Sequence, residues 1–106
     1  MKKTFEILIT TEAEKDFLSI WNYISEDSPA TALSFLEQIE EKIFSLESNP
    51  ERCAFIPENR YYQGAAYRHL IYKDYRIVFG IKGKTIIVHR VFHGSQLLDI
   101  AFLENL

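Results

Sequence analysis

The chain first alternates weakly over Thr4 to Thr10, where Phe5, Ile7, Leu8 and Ile9 supply the apolar positions of a predicted strand. A helix signal follows at once. Thr11-Glu12-Ala13-Glu14 has the form of a capping box, in which a Thr hydroxyl and a Glu carboxylate three residues later satisfy orphan backbone N–H groups. Ala13, Phe17, Ile20, Trp21 and Ile24 then recur at helical spacing and predict a helix to about Ser25. Ser28-Pro29 restarts the pattern as an N-cap followed by Pro at the first helical position. Its stripe is Ala32, Phe35, Leu36, Ile39, Ile43 and Leu46, and it stops near Ser48, because Asn49 tolerates a left-handed cap and Pro50 prevents continuation. With only Glu26 and Asp27 between the two elements, the helices fold back as a hairpin with their stripes on a common surface.

No period survives from Asn49 to Ala65, where Pro50, Pro57, Asn59 and Gly64 mix with Arg52, Arg60, Tyr61 and Tyr62. Two readings stand for a connection this long: a binding loop, or an ordered cover over one end of the core through Phe55 and Ile56. Strands resume over Ala66 to Tyr72, Tyr75 to Ile81 and Thr85 to Phe92, separated by the short turns Lys73-Asp74 and Lys82-Gly83-Lys84. The order β-α-α-β-β-β predicts an α+β fold, a helical hairpin packed on a largely antiparallel four-stranded sheet. All 106 residues form one expected domain, with 95–106 as a tail or short helix in which Leu98 and Phe102 stand at i+4. The many apolar residues of that tail must rest on the chain's own core or on another chain.

Composition narrows the function classes. A single Cys53 leaves no disulfide to form and no cysteine-pair zinc site to fill, which predicts a reducing, cytoplasmic setting. The start, Met1-Lys2-Lys3-Thr4, is charged like a signal peptide, but Glu6, Glu12 and Glu14 break the apolar stretch after it. No window approaches the ~18 apolar residues of a membrane span. The formal net charge of −3 hides a division. Residues 1–50 carry four Lys/Arg against ten Asp/Glu, giving −6, whereas residues 51–106 carry eight against five, giving +3. His69, His89 and His93 all lie in the basic half, and such asymmetry points to a charged partner.

If Lys82-Gly83-Lys84 is a three-residue loop, Ile81 opposes Thr85, Phe79 opposes Ile87, Ile77 opposes His89 and Tyr75 opposes Val91, forming the face that meets the helices. The other face then sets Val78 against Val88 and Arg76 against Arg90. Like charges opposed across a strand pair are destabilising, so an anion or carboxylate between the two arginines is expected. A two-residue loop instead splits them between faces. Arg68 belongs with Ile77 if Lys73-Asp74 is a two-residue turn, or beside Arg76 if the strand bulges. These arginines form either an anionic site for phosphate or an acidic partner, or a solvated face paired with glutamates of the same chain. On this register His89 lies on the core face as a hydrogen-bonded core residue, His93 at the strand end is open to solvent and titrates near neutrality, and His69 is structural or surface. No H-x-x-x-H, Asp/Glu cluster, P-loop, G-x-G-x-x-G or G-x-S-x-G is present, so neither metal nor cofactor is expected. Tyr61, Tyr62, Tyr67, Tyr72 and Tyr75 are either base-stacking platforms or ordinary sheet packing.

Several phrases in this order resemble the RelE/ParE superfamily of bacterial type II toxins. They are Ile20-Trp21-Asn22-Tyr23-Ile24, Ser28-Pro29, Leu46 through Asn49-Pro50, Tyr67-Arg68-His69-Leu70, Asp74-Tyr75-Arg76-Ile77-Val78-Phe79, and above all Val88-His89-Arg90-Val91-Phe92-His93-Gly94. The resemblance covers about residues 5 to 96 and implies a growth-inhibiting toxin neutralised by an antitoxin protein, as a homodimer or a toxin–antitoxin heterotetramer. RelE-like members cut mRNA on the ribosome, holding phosphate with basic residues while a base activates the 2′-hydroxyl. ParE-like members use the same scaffold to block DNA gyrase. The Trp-Asn-Tyr-Ile helix and the Arg-Val-Phe-His-Gly ending look closer to ParE, and Lys73, Lys82 and Lys84 fall in predicted turns rather than on a catalytic face. On the RelE alternative, an endoribonuclease, Arg68, Arg76 and Arg90 would hold phosphate and His93 would transfer the proton, with His89 a lesser candidate. A non-toxic antitoxin-binding module is a third reading. The family's ending commonly continues with Arg-Asp, whereas this chain has Ser95-Gln96-Leu97-Leu98-Asp99.

Overall fold

The order of elements along the chain is the one the hydrophobic pattern predicts. A computed structural model describes residues 4–61 and 63–94. Strand β1 (Glu6–Ile9) leads into helices α1 (Thr11–Asp27) and α2 (Pro29–Phe44), and β2 (Arg68–Tyr72), β3 (Tyr75–Lys82) and β4 (Thr85–His93) complete a sheet of order β1-β4-β3-β2. β1 runs parallel to β4 and the other pairings are antiparallel. The tail 95–106 and its suggested helix lie outside the described residues.

The caps explain where each helix sits. Thr10, not Thr11, is the N-cap of α1: its hydroxyl accepts from the Ala13 N–H at 3.1 Å and donates to the His89 carbonyl at 2.9 Å. The capping-box expectation is therefore one residue late, because only Thr10 also satisfies a strand carbonyl while capping the helix. α1 continues through Asp27, leaving Ser28 as the whole link. Its N–H closes α1 on Ile24 O and its hydroxyl accepts from Thr31 to open α2. After α2 a single 3-10 turn (Ser45–Glu47) leads to Asn49 at φ 59°, the left-handed conformation expected before Pro50. The Arg52 guanidinium reaches back to the carbonyls of Ser48 (3.0 Å) and Asn49 (2.9 Å), satisfying acceptors that the finished helix leaves open.

One face of the sheet, carrying Ile77, Phe79, Ile86, Val88 and Val91, packs on Ala13 of α1 and on Phe35, Ile39 and Ile43 of α2. The other face is also covered. Val78 and Phe92 pack with Ile56, Ala65 and Tyr67 of the long connection, so that segment is an ordered lid on the second face. Ile56 N–H bonds Tyr67 O, His69 N–H bonds Ala54 O, and the Asn59 amide grips both backbone groups of Tyr67. Of the two anchors expected, Ile56 is buried and Phe55 is exposed.

The last hairpin departs from the expected register. Lys82 opposes Thr85 across a two-residue Gly83-Lys84 turn, with Gly83 at φ 62°, a conformation that costs a residue without Cβ little. Pairing runs as Phe79 with Val88 and then jumps to Val78 with Arg90, leaving His89 as the extra residue of a β-bulge. Arg76 thus opposes Phe92 rather than Arg90, and the expected clash of like charges does not arise.

Beyond Ile9, no strand among the described residues lies on the outer edge of β4, and α1 supplies partners there. Thr10 N–H bonds Val88 O, the Thr10 hydroxyl bonds His89 O, and the Asp16 carboxylate accepts the Val91 N–H at 2.9 Å. Because Asp16 satisfies both that amide and Arg90, Asp16→Ala should lower the urea-unfolding free energy by about 2 kcal/mol. Arg90→Ala, which leaves the amide capped, should cost about half as much. Equal losses in the two variants would show that the ion pair, not the edge cap, carries the effect.

Candidate functional site

The candidate residues of the basic half occupy β2, β3, β4 and the lid, and the structure separates them by environment. Arg76 is nearly buried beneath the lid, and its guanidinium forks onto the Glu58 carboxylate, with Nη1 to Oε1 at 3.0 Å and Nη2 to Oε2. It also lies 4.7 Å from the centre of the Phe92 ring. Arg90, carried out of register by the bulge, reaches α1 and forks onto Asp16 at 2.7 and 2.9 Å. That bond holds the Arg90 pKa above its ordinary value.

The third arginine behaves differently. Lys73-Asp74 is a two-residue turn, so Arg68 stands opposite Phe79 on the face that Ile77 shares, as that alternative required. Its guanidinium donates to the carbonyls of Cys53 (2.6 Å) and Glu51 (3.0 Å) and lies 4.0 Å over the Phe55 ring. No carboxylate among the described residues neutralises it.

The histidines fall into two groups. His89, expected on the helix-facing side, is buried on the lid side because it is the bulged residue. It packs edge-on to Tyr67, with ring centres 5.3 Å apart, above Gly80. His69 is half-buried on β2 beside the Arg76–Glu58 pair. Burial lowers both pKa values, and for His69 the Arg76 charge lowers it further while Glu58 opposes the shift. His93 is exposed at the end of β4, with its ring 5.9 Å from that of Tyr75. Burial raises the Cys53 thiol pKa, which keeps it protonated, and no three His, Cys, Asp or Glu side chains converge as a metal site among the described residues. None of the described helices is long and apolar enough to cross a membrane.

Arg76, Arg90 and His93 therefore share one end of the β3–β4 pair, while Arg68 stands on the edge strand β2 opposite Phe79, on the helix-facing side of the sheet. The two carboxylates that complete the arginine forks, Glu58 and Asp16, escaped the sequence reading. Asp16 had a signal: it stands three residues after Ala13 and four before Ile20, within the apolar stripe of α1. Glu58 had none, since it lies in the aperiodic connection.

Two outcomes test this arrangement. Glu58→Gln leaves the Arg76 charge under the lid without its carboxylate and should destabilise the protein by about 3 kcal/mol in urea. For His69 and His89 the native pKa is depressed, so the unfolded chain takes up protons first. Their contribution to stability is full above the ordinary value near 6.5 and is lost as pH falls below it. The urea midpoint should fall on acidification from about pH 7.5 to about pH 5.5, and His89→Phe should reduce that fall. An unchanged pH dependence in His89→Phe would mean that His89 is already solvated.

The family model described as "ParE toxin of type II toxin-antitoxin system, parDE" matches residues 7–98. Among solved structures, a chain from the chromosomal ParDE TA system of P. aeruginosa superposes with a TM-score of 0.69 at 22% identity, over 86% of this chain and 97% of that one. Comparison with curated protein sequences yields no significant match. With nearly the whole described fold inside the matched span, the chain belongs to the ParE toxin family of type II toxin–antitoxin systems.

Proposed function

We propose that the protein is a growth-inhibiting toxin that acts in the cytoplasm by binding DNA gyrase and is held inactive by an antitoxin protein. Family membership supports the toxin–antitoxin assignment. The observation that favours protein contact over RNA cleavage is the state of the two β3–β4 arginines: Arg76 and Arg90 each spend their bidentate fork on a carboxylate of the same chain. A phosphate clamp works by offering that fork to the transition state. Here a phosphate must first displace Glu58 or Asp16, and in Arg76's case inside a nearly dry site, where opening a pair costs several kcal/mol.

The RelE-like alternative assigns phosphate holding to Arg68, Arg76 and Arg90 and proton transfer to His93, whose exposure at the strand end suits it for solvent exchange. The ring of Tyr75 lies beside His93, and burial raises the Tyr75 pKa, which makes that phenol a poor base near neutrality.

Induction of the gene alone should arrest bacterial growth, and co-expression of the antitoxin gene beside it should relieve the arrest. Purified protein should inhibit gyrase supercoiling, while primer extension on translated mRNA should show no new 5′ ends. Fresh ends between codon bases, lost in an Arg90→Ala, His93→Ala double variant, would transfer the assignment to the endonuclease. Normal growth on induction would leave the non-toxic binding module.

A further inference from the structure

The chain leaves the described fold at a defined place. Gly94, the last described residue, donates its N–H to the Asp74 carbonyl at 2.6 Å, and His93 before it lies against Tyr75 with ring centres 5.9 Å apart. These contacts fix the exit point against the β2–β3 turn. Asp74 and Tyr75 also line an open groove of about 400 Å³ between that turn and the first two turns of α2. Its apolar floor is made by Ile24, Ala30, Phe35 and Tyr75, with the Phe35 and Tyr75 rings packed edge-on at 5.1 Å. At the rim Lys73 meets no carboxylate among the described residues.

Residues 95–106 carry the matching chemistry. Seven of the twelve are apolar, and Leu98, Ala101, Phe102 and Leu106 recur at helical spacing. Both charged side chains of the segment, Asp99 and Glu104, are acidic. A segment this short does not hold a helix in water by itself and takes its order from the surface it covers. Leu97 stands three residues past Gly94, a reach of about 10 Å, so the apolar stretch begins within range of the groove.

We infer that residues 95–106 fold back into this groove as an amphipathic strap, seating apolar side chains on the floor formed by Ile24, Ala30, Phe35 and Tyr75. Tethering selects the occupant. A segment that starts at the rim of the groove is present there at millimolar effective concentration, which a second copy of the chain in dilute solution does not match. Electrostatics select the orientation: Lys73 and Asp74 carry opposite charges at the rim, so the carboxylates of the strap turn toward Lys73. The groove itself is preformed by the packed Phe35 and Tyr75 rings, which confines the ordering cost to the strap. The family match ends at residue 98, so most of the strap lies beyond the shared domain. The inference holds whichever cellular target the protein meets.

Hydrogen exchange of the full chain, read by mass spectrometry without antitoxin or target, tests the strap. Amides of residues 97–106 should exchange slower by about tenfold or more than those of a free peptide of the same sequence. Leu98→Asp combined with Phe102→Asp should remove that protection. Ser34→Trp, which fills the groove from an exposed position of α2, should remove it as well. Exchange in β3 and β4 should stay unchanged in these variants, which separates loss of the strap from loss of the fold. If Ser34→Trp disturbs the strands, Ala30→Trp fills the same groove from the next turn back and replaces it. A tail that exchanges at free-peptide rates overturns the inference. Protection indifferent to a filled groove does so too, because the tail then rests elsewhere. Protection that falls on dilution as a dimer dissociates gives the groove to a second copy and overturns it equally.

Discussion

Strand β4 is nine residues long and β1, its parallel neighbour, only four, and the backbone groups this mismatch leaves on the outer edge of β4 organise the fold. An unpaired buried amide costs about as much as a lost hydrogen bond, so the edge must be satisfied by something other than a strand. The start of α1 does this with two side chains: the Thr10 hydroxyl takes the His89 carbonyl and the Asp16 carboxylate takes the Val91 amide. Once those bonds are made, the direction in which α1 leaves the sheet is set. A one-residue link at Ser28 then brings α2 back across the strands.

The same strand explains where the positive charge goes. The bulge at His89 shifts the register by one residue, so Arg90 comes to the edge that Asp16 already occupies and its fork completes the carboxylate's hydrogen bonding. Arg76, on the neighbouring strand, lies under the lid with Glu58. Much of the positive charge of the sheet is thus internal cement between layers: Asp16 ties β4 to the helical layer and Glu58 ties β3 to the lid. The surplus left at the surface is carried by Arg52, Arg60 and Arg68, which meet no carboxylate among the described residues, and by lysines at the turns. A charge count along the chain separates an acidic from a basic half, but the halves meet through the Asp16–Arg90 pair, while the Glu58–Arg76 pair closes within the basic half.

The elements were legible because each is written in local chemistry. Ser28-Pro29 opens α2, Asn49-Pro50 closes its extension, and Lys73-Asp74 turns β2 into β3, since caps and turns depend on φ and on groups within a few residues. The register of the last hairpin was not, because Lys82-Gly83-Lys84 admits a two-residue and a three-residue turn and nothing nearby announces the bulge. That one-residue difference moved His89 from the helix-facing side to the lid side and dissolved the expected pairing of Arg76 with Arg90. The cap of α1 was misplaced for a related reason: Thr10 and Thr11 are chemically equivalent, and only the His89 carbonyl distinguishes them.

By itself, then, the sequence determined the order of strands and helices, the helical hairpin, the break at Asn49 and the family phrases along β3 and β4, all of which rest on short-range periodicity and backbone preference. The tertiary structure alone decided which carboxylate each arginine meets. Asp16 and Arg90 stand far apart in the chain, as do Glu58 and Arg76, and a salt bridge between distant residues leaves no periodic trace. It follows from register, bulge and edge, and those are settled only when every strand has found all its partners.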